Sequence, residues 1–391
     1  MRILSVHNKY LIRGGEEESR DSEERILRDG GHLVDSYEED NKRLSELNPV
    51  HLAAKTIWSQ ESYQIVADKF AKANYDLMHV QNSFPLISPS IYYAAKARDV
   101  TVVQTLRNYR LLCPNALFFR EGKVCEDCLG KAIPYPGVVN SCYRESVLAS
   151  GVAASMLIFH RALKTWSNTV DLYIALSQFA RDKFIEGGLP AEKIVVKPNF
   201  VSPDPGKGFG GGGYALYVGR LSVEKGLDTL LAAWELLDDE MPLKIVGDGP
   251  LSKEVLAKTE TNANIEWLGR QPMARVHDLM GQAEMLIFPS NWYETFGRVA
   301  IEAFAKGTPV VASNIGAIAE LVEDGHTGLL FRTGNSADLA VKVNYLANHP
   351  NELAAMRENS RATFEAKYTE SKNYDRLMEI YAEAKRKQNK K

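Results

Sequence analysis

Short apolar runs alternate along the chain with longer stretches in which apolar residues recur at helical spacing. The short runs are typical of strands buried on both faces, and the longer stretches are typical of amphipathic helices. Strands that alternate with helices predict an α/β fold with doubly wound parallel sheets. In the first half of the chain the predicted strands are residues 2–8, 32–37, 76–80, 100–105, 172–177 and 194–199.

A Pro- and Gly-rich break at residues 202–213 interrupts this rhythm. Gly208, Gly210 and Gly213 have the spacing of the dinucleotide-binding fingerprint, but that fingerprint should open a helix, and here a strand follows. We therefore interpret the break as a linker between domains. Beyond it the predicted strands are residues 214–218, 243–247, 265–269, 285–288, 309–312 and 328–331.

The two series of strands predict two Rossmann-like domains. The first covers residues 1–203, the linker covers 204–213, and the second domain covers 214–370. Two such domains place the carboxyl ends of two sheets face to face across a cleft. Open α/β sheets bind their ligands at that edge.

Composition excludes several classes of function. The 391 residues carry a net charge of -3, so nothing global attracts nucleic acid. No apolar run approaches the roughly 20 residues of a membrane span. The apolar part of the first strand is too short for a signal peptide, so we expect a cytoplasmic protein.

The strongest candidate chemistry lies in the turn 291–297. A predicted buried strand precedes this turn and a predicted helix starting near Phe296 follows it. Backbone N–H groups and the positive end of a helix dipole then meet at the sheet edge, which makes an anion site. Glu294 and Glu302 flank that site, and carboxylates are suited to accept hydrogen bonds from sugar hydroxyls.

A second candidate segment, residues 219–226, directly follows a strand. Arg220 offers a planar fork of donors and Lys225 offers a point charge, and both can reach one phosphate group from a turn. The alternative is a pair of surface cations without a ligand.

Together the two segments resemble the signature of family-4 glycosyltransferases, which are retaining enzymes of the GT-B fold with nucleotide-sugar donors. The resemblance implies that Arg220 and Lys225 hold the donor diphosphate. It implies that Glu302 binds the ribose and that Glu294 lies near the donor sugar. It also implies that the last helix, 371–391, packs back on the first domain. The remaining implied donor contacts are Gly14, Gly15, Gly219, Gly247, Asp248, Gly249, Arg270, Thr295, Phe296, Gly297, Val299 and Gly316.

The first domain departs from the family pattern at one position. Where the family often has His after the fourth strand, this chain has Arg107, followed by Asn108. Either Arg107 stabilises a phosphate or sugar oxygen, or Asn108 supplies the contact, or Arg107 is structural. His7 and His79, at the ends of other strands, are alternative imidazoles.

Retention of configuration has two possible routes. Double displacement needs a carboxylate nucleophile in the first domain, and the nearest candidates are Glu16 and Glu17. In same-face attack, the leaving phosphate oxygen helps to deprotonate the acceptor. No carboxylate follows the fourth strand, so we favour same-face attack, with cations and helix termini replacing a catalytic metal.

All four cysteines fall in one window and have the spacing of a four-thiolate zinc site. We predict a structural zinc that staples the long loop after the fourth strand. Free or disulfide-paired thiols are the alternative. The predicted ligands are Cys113, Cys125, Cys128 and Cys142.

These features predict a retaining hexosyltransferase that moves a hexose from a UDP- or GDP-sugar to a glycan or glycolipid acceptor in polysaccharide assembly. The alternatives are a nucleotide-sugar epimerase of the same fold and a binding protein that has lost catalysis. The misplaced glycine fingerprint disfavours an NAD-dependent oxidoreductase. The basic tail 385–391 is either solvated or in peripheral contact with the anionic inner face of a membrane.

Overall fold

The structure, a computed structural model, describes residues 1–237 and 241–389. It divides into two compact units. The first unit consists of Met1–Phe118, Glu126–Pro198 and the C-terminal segment from Asn373. The second unit consists of Phe119–Cys125 and Asn199–Lys372.

Both units are built around parallel strands. The sheet strands fall on the predicted apolar runs, whereas the short hairpin β5–β6 was not predicted. In chain order the strands are β1 (Arg2–Lys9), β2 (Leu33–Asp40), β3 (Leu77–Asn82), β4 (Thr101–Leu106), β5 (Phe119–Arg120), β6 (Lys123–Val124), β7 (Leu172–Ala175), β8 (Ile194–Val196), β9 (Ala215–Val218), β10 (Leu243–Val246), β11 (Ile265–Trp267), β12 (Met285–Phe288), β13 (Val310–Ser313) and β14 (Gly328–Phe331).

Helices connect these strands, and several begin at a residue whose side chain accepts a hydrogen bond from the first turn, such as Ser146, Ser177 and Asn335. In chain order the helices are α1 (Gly15–Asp29), α2 (Pro49–Ile57), α3 (Gln60–Lys72), α4 (Ser90–Lys96), α5 (Tyr135–Val139), α6 (Val147–Ala162), α7 (Thr165–Asn168), α8 (Gln178–Glu186), α9 (Leu227–Trp234), α10 (Ser252–Thr261), α11 (Met273–Gln282), α12 (Arg298–Ala305), α13 (Gly316–Leu321), α14 (Ser336–Asn348), α15 (Pro350–Lys367) and α16 (Glu370–Gln388).

Each unit contains one six-stranded sheet with parallel pairing throughout. The strand order is β2-β1-β3-β4-β7-β8 in the first unit and β11-β10-β9-β12-β13-β14 in the second. The chain reverses its direction of winding between β1 and β3 in the first sheet and between β9 and β12 in the second. The predicted α/β fold with two doubly wound sheets is therefore confirmed. Ligands of such sheets bind outside the strand carboxyl ends at the reversal.

The terminal helix α16 completes the core of the first unit. Its buried residues Leu377, Ile380 and Tyr381 pack in one cluster with Ile3 and Leu77 of the sheet. Lys390 and Lys391 of the predicted terminal helix lie outside the described residues.

The segment predicted as a linker is bound to the second unit by backbone hydrogen bonds. The N–H groups of Gly210 and Gly212 donate to the carbonyl oxygens of Gly281 and Gln282. No helix opens at its glycine fingerprint. Within residues 1–237 and 241–389, no helix combines the length and the apolar composition needed to cross a bilayer.

Candidate functional site

In the second unit, the residues predicted to bind a donor follow the carboxyl ends of the strands on both sides of the winding reversal. Gly219 and Arg220 follow β9, and Glu294 lies in the turn after β12. Arg270 follows β11, and Gly316 opens α13 after β13. All of these positions lie at the carboxyl edge of one parallel sheet.

Glycines allow two of these turns to touch. Gly247, after β10, has φ 142, and a Cβ built on it would lie 1.8 Å from the carbonyl oxygen of Gly219. The carbonyl oxygen of Asp248 accepts a hydrogen bond from Leu221. The side chain of Asp248 accepts from the N–H of Gly249, which orders this turn. The turns after β9 and β10 therefore form one surface.

The turn after β9 also packs on the strand end of β12 through Gly226. This residue has φ 71, and a Cβ there would lie 1.9 Å from the carbonyl oxygen of Pro289. The N–H of Asn291 donates to the carbonyl oxygen of Glu224. As a result, the Lys225 ammonium forms an ion pair with the Glu294 carboxylate. Two residues predicted separately thus meet in one site.

Gly226→Ala should separate this pair and destabilise the second unit. Gly213→Ala is the matched control, because Gly213 has φ 68 but a Cβ there would meet no heavy atom within 4 Å. Both variants carry the strain of a left-handed residue, and only Gly226→Ala adds overlap. We expect it to cost about 1–3 kcal/mol more than the control in urea denaturation. Equal costs would mean that the close approach to Pro289 carries no energy.

Glu294 is buried, and three side chains donate hydrogen bonds to its carboxylate. Its Oε1 accepts hydrogen bonds from Ser290 Oγ at 3.1 Å and from Trp292 Nε1 at 3.0 Å, in addition to Lys225. The Lys225 ammonium also lies 5.3 Å from the centre of the Trp292 ring. Trp292 was not predicted from the sequence, although it lies only two residues before Glu294 in the same turn.

Helix α12 presents its N-terminus at the same edge. It begins at Arg298 rather than near Phe296, because Gly297 adopts the left-handed conformation at the N-cap. Arg298 Nε lies 2.8 Å from Glu302 Oε1 one turn later, so the buried Glu302 carboxylate is already paired. Arg298 was also missed, although its spacing to Glu302 on a predicted helix would have revealed it.

The remaining predicted donor contacts range from exposed to buried. Arg220 is exposed, and its carbonyl oxygen accepts a hydrogen bond from Tyr217 Oη at 2.9 Å, which fixes the backbone beneath the guanidinium. Thr295 and Val299 are half-buried on either side of the α12 N-cap, and Phe296 is buried against Tyr368.

In the first unit, the loop between β1 and α1 is closed by Glu17. Its carboxylate accepts hydrogen bonds from the backbone N–H groups of Tyr10 and Gly14, each at 3.0 Å. Burial alone would raise the pKa of Glu17, but His7 and these N–H groups lower it to about 2. Gly14 is the N-cap of α1 and Gly15 is its first residue. The carboxylate of Glu17 therefore stabilises the conformation of this loop.

Glu16 lies in a different environment on the same helical turn. Its Oε2 accepts a hydrogen bond from Tyr10 Oη at 3.1 Å, and Asn108 Nδ2 donates to the same hydroxyl at 3.1 Å. Burial raises the pKa of Glu16 to about 7, against the opposing effect of the Arg107 guanidinium. Glu16, Tyr10 and Asn108 form a polar group where β1 and β4 end.

Glu16→Gln should stabilise the chain more at pH 8 than at pH 5. The pKa of Glu16 in the folded state lies above its ordinary value of 4.5, so its contribution to stability is complete below pH 4.5 and is lost as the pH rises through about 7. The amide removes that loss. We expect the melting temperature of the variant to exceed that of the wild type only at the higher pH. Glu18→Gln, in the same turn and in an exposed ion pair with Arg13, should shift it equally at both pH values.

The position where the family often has His is occupied by a buried ion pair. Arg107 Nη2 lies 3.0 Å from Glu23 Oε2, and Arg107 Nε donates to Gln81 Oε1 at 2.8 Å. The buried Lys197 ammonium lies 2.7 Å from the other oxygen of Glu23. These contacts favour the structural alternative for Arg107.

The two alternative imidazoles are buried as well. His79 contacts Tyr381 Oη and Thr105 Oγ1, each at 2.8 Å. His7 Nε2 lies 3.8 Å from Glu17 Oε1. Burial lowers the pKa of both imidazoles, that of His79 to about 4. Neither arrangement identifies a catalytic base.

A cavity of about 40 Å³ opens near the carboxyl ends of β3 and β4. Its wall combines the rings of Phe84, Tyr92 and Trp166 with the amides of Gln104 and Asn108. A volume of about 40 Å³ admits only a few water-sized molecules, so a sugar ring would fit only if this wall opened.

The zinc prediction is not supported. Within residues 1–237 and 241–389, no group of three or more His, Cys, Asp or Glu side chains is placed to hold a metal ion. Cys113 and Cys128 are buried, and Cys125 falls in a different unit from the other three. The spacing alone could not reveal this, because four-thiolate geometry depends on how the long loop folds.

Comparison with solved structures defines the class of fold. The chain resembles Anabaena HepE, solved in complex with UDP and glucose, with a TM-score of 0.69 over 97% of this chain and 99% of that one, at 19% identity. The architecture is the GT-B fold of glycosyltransferases, with two Rossmann-like domains.

Comparison of sequences shows which glycosyltransferases the chain resembles. Residues 206–363, within the second unit, match the family described as Glycosyl transferases group 1. The chain is 31% identical over 215 residues to an uncharacterized glycosyltransferase of Methanocaldococcus jannaschii, covering 54% of this chain and 60% of that protein. It is 27% identical over 259 residues to an uncharacterized protein in the cps region of Klebsiella pneumoniae, covering 63% and 59%.

The chain thus spans about three fifths of the length of these curated relatives. Residues 206–363 therefore resemble the group 1 glycosyltransferases, and the chain has the GT-B fold. The assignment to family 4 and the retaining outcome stay predictions.

Proposed function

We propose that the chain transfers a hexose from a nucleoside-diphosphate sugar, with UDP as the favoured nucleotide, to a glycan or lipid-linked acceptor, with retention. The observation that carries the proposal is the Lys225–Glu294 ion pair at the winding reversal of the second sheet, beside the N-terminus of α12. This arrangement places a cation, a carboxylate and backbone donors at the edge where such sheets bind ligands.

Donor binding would separate the Lys225–Glu294 ion pair, because Lys225 would bind the diphosphate and Glu294 would bind the sugar of the same ligand. The diphosphate carries more negative charge than the Glu294 carboxylate, so it would bind the Lys225 ammonium and the exposed Arg220 guanidinium more strongly. Glu294, no longer paired with Lys225, would accept hydrogen bonds from sugar hydroxyls while Ser290 and Trp292 keep it in place. The same cations would stabilise the charge that develops on the departing diphosphate.

Glu302 would bind the ribose hydroxyls from the first turns of α12. Arg298 Nε lies 2.8 Å from Glu302 Oε1, and a carboxylate can accept several hydrogen bonds. The turn formed by Gly247, Asp248 and Gly249 would border the nucleotide. The loop that ends at Gly316 would contact the donor from the carboxyl end of β13.

The environments of Glu16 and Glu17 favour same-face attack. Glu17 is held by two backbone N–H groups, and Glu16 has a pKa near 7 and contacts Tyr10. A nucleophile for double displacement must be ionised and accessible to the sugar. We propose instead that the leaving phosphate oxygen takes the acceptor proton. A covalent sugar adduct on Glu16 or Glu17, trapped by mass spectrometry, would contradict this.

The wall of the cavity in the first unit is the candidate acceptor surface. It would have to open for a sugar ring, and its aromatic rings and amides would then contact the C–H faces and hydroxyls of that ring. Arg107 and Asn108 both line this cavity, but Arg107 is paired with Glu23 and Gln81, so Asn108 is the better candidate for a sugar contact.

A panel of nucleotide sugars tests the donor by thermal stabilisation, because a ligand at about 100 times its Kd stabilises the native state by about 2.7 kcal/mol. We expect UDP-sugars to raise the melting temperature and NAD to leave it unchanged. Donor turnover with and without added glycans then separates the alternatives. An epimerase would convert the donor alone, and an inactive binding protein would be stabilised without turnover.

A further inference from the structure

The helix α6 in the first unit carries apolar residues on both faces. Its inward face buries Ala153, Leu157 and His160. Its outward face exposes Leu148 and Phe159, and Leu163 follows at the C-cap, also exposed. Leu148 is 83% exposed. Leu148 and Phe159 are eleven residues apart, or about three helical turns, and Leu163 is four residues beyond Phe159, so all three form one stripe on one side of the helix.

A neighbouring segment extends this stripe into a patch. Arg161, on α6, donates hydrogen bonds to the carbonyl oxygens of Lys131 and Ala132 at 2.7 and 3.2 Å, so the chain before α5 lies against α6. The large apolar side chains that follow are also exposed. We call the exposed set the α5–α6 patch: Ile133, Tyr135, Val139, Leu148, Phe159 and Leu163.

The patch is bordered by positive charge. Lys131, Arg144 and Lys164 are exposed beside it, and Glu145 is the only acidic residue between positions 128 and 171. The whole chain, by contrast, has 50 acidic and 47 basic residues. The Lys131 ammonium lies 5.6 Å from the centre of the Tyr135 ring, so an aromatic ring and a cation share one spot. Tyrosine with lysine is a pairing typical of the headgroup level of a membrane.

We propose that the α5–α6 patch docks on the surface of an anionic lipid bilayer. The apolar side chains would enter the boundary between headgroups and acyl chains, while the three cations would meet lipid phosphates. A second copy of the chain fits less well. A two-fold contact repeats the same patch on both partners, so it would bring like charges together.

The basic tail is a weaker candidate for the same role. Lys385 Nζ lies 2.7 Å from Asp76 Oδ1, and Lys387 Nζ lies 2.9 Å from Glu383 Oε1. These ammonium groups are already paired within the first unit. The proposal does not depend on sugar transfer, since the patch shares no residue with the donor site of the second unit.

Co-sedimentation of the full chain with vesicles tests the proposal. We expect vesicles containing phosphatidylglycerol to bind about tenfold more protein than phosphatidylcholine vesicles, with partial loss at high salt. The variant Leu148→Glu/Phe159→Glu should lose that binding by about tenfold. The control Leu256→Glu/Val341→Glu changes equally exposed apolar residues of the second unit and should bind as the wild type does.

Donor-induced thermal stabilisation of each variant shows whether it is folded and whether the donor site is intact. If the first variant does not fold, Lys131→Ser/Arg144→Ser/Lys164→Ser repeats the test without adding charge to the apolar stripe. Equal loss in the control, or no preference of the wild type for phosphatidylglycerol, would overturn the proposal. So would retained vesicle binding together with a smaller mass in light scattering for the first variant, because that result would make the patch an interface between copies.

Discussion

Arg220→Ala should slow sugar transfer by about 100-fold or more while leaving the fold unchanged. The guanidinium is exposed beside the turn after β9, so its removal leaves no cavity. Its proposed contribution is to the charge that develops on the departing diphosphate, a contact that strengthens in the transition state. We therefore expect kcat to fall together with kcat/KM. Initial rates with a donor identified by thermal stabilisation measure both parameters.

Arg275→Ala is the control for that experiment, because it removes an exposed arginine of the same unit on α11. It should retain full activity. Arg220→Lys keeps the charge but loses the planar fork, so an intermediate rate is expected. If Arg220→Ala changes the rate by less than a few-fold, the guanidinium does not grip the diphosphate.

Glu23→Gln should destabilise the first unit by about 3–5 kcal/mol. The substitution leaves the guanidinium of Arg107 and the ammonium of Lys197, both buried, without the carboxylate that compensates them. Glu18→Gln on the same helix breaks only an exposed ion pair and should cost about 1 kcal/mol or less. Urea denaturation, followed by a probe of the first unit, compares the two.

The double variant Glu23→Gln/Lys197→Met should recover part of that loss, since it leaves one buried cation instead of two. An equal or greater loss would show that packing, not charge, dominates at this position.

The ion pairs of Glu23 with Lys197 and Arg107 also make the stability of the first unit depend on pH in the acid range. Burial would raise the pKa of Glu23, but Lys197 and Arg107 lower it to about 2, against an ordinary value of 4.5. This contribution is present above pH 4.5 and is lost as the pH falls towards 2.

The fold was predictable because strands buried on both faces appear as apolar runs. The edge of the second sheet was predictable for the same reason, since the turns after β9, β10 and β12 must meet at one edge. Burial of Arg107 was not predictable from local sequence. Its partner Glu23 is 84 residues away in the chain, so the pairing depends on how α1 lies over the sheet.

The pairing of Lys225 with Glu294 was also beyond the sequence. It depends on the close approach of Gly226 to Pro289, and a positive φ at a glycine gives no sign of which backbone lies opposite. The cysteine window shows the opposite case: its spacing predicted a four-thiolate site, but across the described ranges 1–237 and 241–389 no group of three or more possible metal ligands is placed to hold an ion.

The place of α16 in the core determines when each unit can fold during synthesis. Every residue of the second unit has been translated before α16 leaves the ribosome, because that unit ends at Lys372. The core of the first unit is complete only with Leu377 and Tyr381, which pack in one cluster with Ile3 and Leu77. We therefore expect the second unit to complete its fold on the ribosome before the first, the reverse of the usual order in which the N-terminal domain folds first.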